Sequence, residues 1–300
     1  MKTGSKILAL LCVLVFIAMT VSPVALCADK GASLTVQYKY DDVLYEGLEV
    51  NIYKVADMLS DGSFKLCEDF SKYHISLDGI TSQAEWKTVT ATACAYIAAD
   101  GITPTLTLVT DADGRVTAEG IDPGLYLTAS VKVDSDEKTV KFDDFVTVVT
   151  IEDDSEGKEL AAYPKGSSHK PTEKDIEYKV VKLWKDADSG SVRPPFVTVE
   201  IYCDGELWDT VKLSFENNWT HTWRAKDDGS EWTVCEREID EKYTVTVEKN
   251  GETFVVINST EPGEGPQTGD LIASGPFIIC ILLVGIVTVV VLVWRRGSKK

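Results

Sequence analysis

The chain has 300 residues, room for about two domains, and it is acidic, with 30 Lys and Arg against 48 Asp and Glu for a net charge of −18. That charge repels phosphate backbones and anionic lipid, which excludes nucleic acid and acidic membrane surfaces as partners. The three histidines (His74, His169, His221) are scattered without a Ser/His/Asp set, a glycine-rich phosphate loop or a metal-ligand cluster, so no enzymatic turnover, cofactor or metal is expected.

The N-terminus carries Lys2 and Lys6, an apolar run over 7–19 and small residues approaching Cys27. This pattern predicts a secretory signal peptide over 1–27, cut after Cys27 or after Ala28. Bulky Leu26 argues against a lipid-modified Cys27. Of seven cysteines, Cys67, Cys94, Cys203 and Cys235 fall in the exported part. An even number in an oxidising compartment leaves disulfides open, and no CxxC spacing is present.

Residues 31–165 read mainly as strands. LTVQY (34–38) and GLEVNIYKVA (47–56) alternate apolar and polar side chains, one face for a core and one for solvent. TLTLVT, DADG and RVTAEG read as strand, tight turn and strand of a hairpin. Asp111, Asp113 and Gly114 lack the later ligands of a calcium loop and belong to that turn. One helix interrupts the strands. Ser82 and Glu85 form a capping box, and Trp86, Val89, Ala93, Tyr96 and Ile97 fall on one core-facing side. EVNIYKVAD, followed by TDADGRVTAEGIDPGLYL with Gly120 and Gly124 as turn residues, is similar to the SpaA-like, prealbumin-type domains of Gram-positive pilins. The segment closes on Ala162, Tyr163, Pro164 and Lys165, which resembles the YPK pilin motif. That resemblance implies Lys165 as the amine that joins subunits head to tail.

A polar linker is expected over 166–176. Residues 177–259 then hold short alternating runs, YKVVKLW, FVTVEIYCDG, LWDTVKLS, NWTHTW, EWTVCERE and KYTVTVE, with turns such as CDGE and KDDG between them. Their spacing predicts a β-sandwich of about seven strands. Alternation sets Trp232, Val234 and Glu236 on an inner face and Cys235 outward, which makes a Cys203–Cys235 bridge awkward. The landmarks KLWKD, RPPFVTVEIYCDG, NWTHTW, WTVCE, KYTV and VVINS resemble the Cna B-type repeat of Gram-positive adhesins and pilins, over the whole of this domain. The resemblance implies a reversed immunoglobulin-like sandwich with a self-formed isopeptide bond between Lys182 on the first strand and Asn258 on the last. Glu236 would be the catalytic group between them. The first domain has Asn51 near its start and Ser130 where a glutamate would fall, so no such cross-link is expected there. Asn218 and Asn258 also begin glycosylation sequons, which matter only in a eukaryotic ectodomain.

Residues 260–270 form a Pro/Gly-rich spacer containing GPQTG, and 274–294 are predicted to span a membrane, with no charge from 277 to 294. At ~1.5 Å per residue that uncharged run covers roughly 27 Å, a hydrocarbon thickness. Arg295, Arg296, Lys299 and Lys300 follow in a basic tail over 295–300, which stays cytoplasmic. Motif, apolar span and basic tail in this order resemble the LPxTG cell-wall sorting signal. Pro266, Gln267, Thr268 and Gly269 match it, and Gly265 replaces the leucine. The resemblance implies a sortase that cleaves after Thr268 and joins the chain to peptidoglycan or to neighbouring pilin subunits.

The expected architecture is mainly β: two tandem immunoglobulin-like sandwich domains of SpaA and Cna B type, the first with a helical insertion, between a signal peptide and a C-terminal transmembrane helix. The function expected is that of a sortase-anchored, extracellular cell-wall protein, a pilin subunit or small adhesin, with a host surface or matrix ligand as a further partner. The alternative is a single-pass membrane receptor or ligand-binding protein not linked to the wall.

Overall fold

A computed structural model describes residues 31–135, 137–150, 161–186 and 193–260. The predicted signal peptide, the GPQTG motif, the apolar run and the basic tail lie outside the described residues. Among those described, no helix is long and apolar enough to cross a membrane.

The first half starts with β1 (Ala32–Gln37), the small pair β2 (Lys39–Tyr40) and β3 (Val43–Leu44), then β4 (Glu49–Met58) and β5 (Phe64–Leu66), before helix α1 (Gln83–Asp100). After the helix come β6 (Leu106–Val109), β7 (Arg115–Ile121), β8 (Gly124–Thr128), β9 (Val131–Asp134), β10 (Thr139–Phe142), β11 (Phe145–Val149), β12 (Ala161–Ala162) and β13 (Gly166–His169). The central sheet has the order β11-β8-β4-β5, with β6 also on β4. Period-two alternation gives it two apolar faces. One face buries Ile52 and Tyr126 against Leu34, Val36 and Phe142 of the sheets β12-β1-β7 and β13-β10-β9. The other packs Tyr53, Val55 and Leu127 under Val89, Ala93 and Tyr96 of α1. The layers are therefore sheet, sheet and helix.

Local chemistry fixes the ends of α1. The Glu85 carboxylate accepts from Ser82 N (2.7 Å), Ser82 Oγ accepts from Glu85 N (3.2 Å), and Gly101 closes the helix at φ 61° with its N–H on Ile97 O. The buried surface is wider than the predicted stripe, because Thr92 and Ala95 are also buried. The DADG segment is a turn, with the Asp111 carboxylate accepting from Asp113 N and Arg115 N and Gly114 at φ 67°. It does not join a hairpin, since β6 pairs with β4 while β7 pairs with β1. Leu106 and Leu108 pack toward Val116 and Ala118 in one core, so the turn carries the chain between layers.

The second half contains β14 (Thr172–Lys185), β15 (Phe196–Cys203), β16 (Glu206–Ser214), β17 (Thr220–Asp227), β18 (Trp232–Arg237), β19 (Thr244–Asn250) and β20 (Thr253–Ser259). They form two sheets, β17-β14-β20-β19 and β16-β15-β18, which together make the seven-stranded sandwich predicted from the spacing. The first and last strands, β14 and β20, pair in parallel from Lys179↔Thr253 to Lys185↔Ser259. Between the sheets lie Val180, Val199, Ile201, Leu213, Val234 and Val256, all fully buried. Tyr178 stacks on Trp223 at 5.5 Å, and Trp223 meets Trp232 at 5.6 Å. Such aromatic pairs contribute about 0.5–1.5 kcal/mol each beyond their area.

All four cysteines in the described residues are free. The register sets Cys203 opposite Trp232 and Cys235 opposite Glu200, so the two are offset along the strands and do not bridge. The stretch expected as a polar linker is largely paired. β13 pairs with β10 of the first half through Phe142↔Gly166, and β14 already begins pairing at Thr172↔Asp227. Lys170 and Pro171 alone separate the two strands. Across this junction Lys141 Nζ meets Glu231 Oε1 at 2.6 Å, His169 Nε2 meets Asp227 Oδ1 at 2.8 Å, and Arg237 meets Asp100 at 2.7 Å.

Candidate cross-link site

Alternation along β14 turns Tyr178, Val180, Lys182 and Trp184 toward the core. The same period on β20 turns in Phe254, Val256 and Asn258. In the parallel register Lys182 lies opposite Val256 and Trp184 opposite Asn258, so lysine and asparagine are diagonal neighbours on one face. From the facing sheet, β18 sends in Trp232, Val234 and Glu236, the inner face predicted from the sequence.

The three polar side chains meet in an apolar interior. Lys182 is 3% exposed, Glu236 3% and Asn258 2%. Lys182 Nζ lies 3.3 Å from Glu236 Oε2, and Asn258 Nδ2 donates to Glu236 Oε1 at 2.8 Å. The amine also donates to Leu183 O at 3.0 Å and Val256 O at 3.4 Å. Asn258 Oδ1 is buried with no hydrogen-bond partner among the described residues. Burial pushes the Lys182 amine down to about 8, against the pull of the adjacent carboxylate. Burial also pushes Glu236 up, against Lys182 and the Asn258 amide. Desolvation therefore drives both groups toward their neutral forms, the condition under which an amine is a nucleophile and a carboxylic acid a proton donor.

The Trp184 ring was not singled out in the sequence, yet it lies 4.3 Å from Lys182 Nζ. Its position two residues after Lys182, hence on the same face, is the signal that finds it. Lys165 stands apart from this cluster. Its side chain is exposed at the start of β13, while its carbonyl accepts from Asp143 N at 3.0 Å. In the first half the Asn51 amide oxygen accepts from Thr107 Oγ1 at 2.7 Å, and Ser130 Oγ donates to Glu231. Pro266, Gln267, Thr268 and Gly269 lie outside the described residues.

A two-sheet sandwich whose first and last strands pair in parallel around a buried Lys–Glu–Asn set defines the second half as an immunoglobulin-like module with a polar cluster in its core. Residues 178–259 match the family model of the Cna protein B-type domain. Among solved structures, a single B repeat unit of the collagen-binding surface protein Cna of Staphylococcus aureus is 19% identical, covering 77% of this chain and 98% of that one at a TM-score of 0.27. A streptococcal ancillary pilin is 14% identical over 76% of this chain and 69% of its own, at 0.25. The shaft pilin SpaA of Lactobacillus rhamnosus GG is 10% identical over 77% and 98%, at 0.27. No curated protein sequence matches the chain.

Proposed function

We propose that the chain is a sortase-anchored surface protein of a Gram-positive cell, a pilin subunit or small adhesin, whose second domain cross-links itself. The observation that carries this reading is the joint burial of Lys182, Glu236 and Asn258 inside a sandwich that matches the Cna B-type model. In the buried pair a proton passes from Lys182 Nζ to Glu236, leaving amine and acid both neutral. A half-turn of the Asn258 amide brings the unpartnered Oδ1 to the acid O–H, which polarises the carbonyl. The Lys182 nitrogen attacks Cγ and forms the new C–N bond. The bond from Cγ to Nδ2 then breaks, and Glu236 relays the amine's proton to the departing nitrogen, which leaves as ammonia. Folding supplies the proximity, because β14 and β20 are already adjacent. The event happens once per molecule, so it is maturation and not turnover. The mass of the exported chain tests it, as argued in the Discussion.

Anchoring rests on Pro266, Gln267, Thr268 and Gly269 followed by the apolar run and basic tail. Mature protein is expected to end at Thr268, joined to a wall or pilin amine, and Thr268→Ala should leave the chain in the membrane fraction. Unaltered protein that still carries residues 277–294 after extraction from the wall would refute the anchoring. Polymerisation rests on Lys165, whose exposed amine sits on a backbone pinned to β10 and is thus presented to a partner. Lys165→Ala should abolish high-mass ladders on denaturing gels of wall extracts while sparing the anchored monomer. Ladders that persist would make Lys165 an ordinary surface residue.

A further inference from the structure

Resting on the cross-linking reading, we propose that the first domain is a positioning element for the reaction in the second: Asp100 holds the strand that carries Glu236, while His74 and Thr92 hold the strand beside Asn258.

Both strands are sheet edges. Among the described residues β18 pairs only with β15, and β19 only with β20. Edge strands lack a second ladder and open most readily, so a reactive carboxyl on one and an amide next to the other are poorly fixed by their own domain. The first domain supplies the missing restraint to both. Val245, the cross-strand partner of Asn258, donates its N–H to His74 O at 2.8 Å. Two residues on, Val247 N donates to Thr92 Oγ1 at 2.9 Å, a buried bond from the middle of α1. That bond accounts for a threonine in the helix interior whose hydroxyl also donates back to Thr88 O at 2.7 Å.

On β18, the residues flanking Glu236 point the other way and are taken up by α1. Cys235 is 1% exposed in a cluster with Ala93 and Tyr96. Arg237 NH1 meets Asp100 Oδ1 at 2.7 Å, at the last residue of the helix. Asp100 is itself held, its Oδ2 accepting from Lys72 Nζ at 2.8 Å and Tyr73 OH at 2.7 Å. A cleft at the domain junction reaches Glu236 and is walled on the first domain's side by Tyr73, His74, Tyr96 and Asp100. Glu236 is thus held through its chain neighbours by groups on a different domain. Misplacing a reacting group by about 1 Å costs on the order of a hundredfold in rate, so loosening β18 should act on the rate of bond formation before it acts on the fold.

The test follows pulse-labelled full-length chain by denaturing gel, where a closed loop migrates faster, and by mass, where one ammonia is lost. Asp100→Ala and, separately, Arg237→Gln should slow cross-linking roughly 10- to 100-fold, with Asp100→Glu restoring most of the rate. Arg224→Ala, which removes an exposed ion pair between β17 and Glu177 of β14, should leave it unchanged. The finished Asp100→Ala product should still melt well above Asn258→Ala, because the bond once made stabilises the fold whatever the rate at which it formed. Cross-linking at the unaltered rate in both Asp100→Ala and Arg237→Gln would overturn this inference alone. A failure of Asp100→Glu to restore the rate would also overturn it. If the unaltered chain itself never loses ammonia, the cross-linking reading falls and this inference falls with it.

Discussion

The exported chain is expected to weigh one ammonia less than its sequence, and Lys182→Ala, Glu236→Ala and Asn258→Ala should each restore the full mass. Every one of these substitutions removes a different part of the reaction: the nucleophile, the proton relay or the acyl group. A bond between residues 182 and 258 closes most of the second domain into one loop. By the chain-entropy model used for disulfides, that closure stabilises the fold by about 4–5 kcal/mol as an upper guide. At about 4–8 °C per kcal/mol for a domain of this size, the three variants should melt up to roughly 16–40 °C lower. Glu236→Ala is the most informative, since it leaves both reacting groups in place and unreacted. The rate should also carry a pH signature. The ionised pair and the neutral pair hold the same number of protons, so their interconversion is independent of pH while the pair as a whole keeps its proton. Above about pH 8 the Lys182 amine loses that proton to solvent, Glu236 remains ionised, and the acid needed at Oδ1 is gone. Ammonia release should therefore slow as pH rises beyond that point. A rate that kept climbing toward pH 10 would refute the acid role of Glu236, and a full mass in folded, unaltered protein would refute the bond itself.

Much of the second domain was legible because a β-sandwich writes itself in period two. Trp232, Val234 and Glu236 alternate with outward residues on one short strand, and a carboxylate in phase with a tryptophan and a valine is already marked as buried. The ends of α1 were legible for an equally local reason, since Ser82, Glu85 and Gly101 complete their hydrogen bonds within a turn of the helix. What escaped was set by distant partners. GSSH (166–169) reads as linker because its side chains are small and polar, yet its backbone completes a sheet with β10, and Gly166 sits where a Cβ would come within 2.7 Å of the Tyr40 ring. The second buried face of α1, with Ala95 and Thr92, looks weakly apolar in isolation. It is explained only by β18 and β19, which lie well over a hundred residues further along the chain. The DADG turn was recognisable as a turn, but which sheet each flanking strand joins depends on β1 and β4 and leaves no mark on the turn itself.

Stretching the chain between its ends should reveal only the first domain's unfolding in the unaltered protein, and a second event in Asn258→Ala. Tension reaching the second domain along β14 arrives at Lys182 and, across the proposed bond, leaves through Asn258 near the end of β20. Residues between those two positions then carry no load, and a covalent amide replaces the parallel ladder Lys179↔Thr253 to Lys185↔Ser259 as the mechanical link. Without the bond that ladder is all that joins the entry strand to the exit strand. Its hydrogen bonds contribute only about 0.5–1.5 kcal/mol each, so it separates under load. The rupture then releases the 182–258 segment, which at ~3.4 Å per extended residue lengthens the chain by roughly 25 nm. Single-molecule force spectroscopy reads that step directly. The first domain serves as an internal reference, because it carries no such bond in this reading and should unfold in both proteins. A 25 nm-class step from the second domain of the unaltered chain would show that β14 and β20 are held by hydrogen bonds alone. Its absence from the unaltered chain and presence in Asn258→Ala would assign the mechanical continuity of this domain to one side-chain amide.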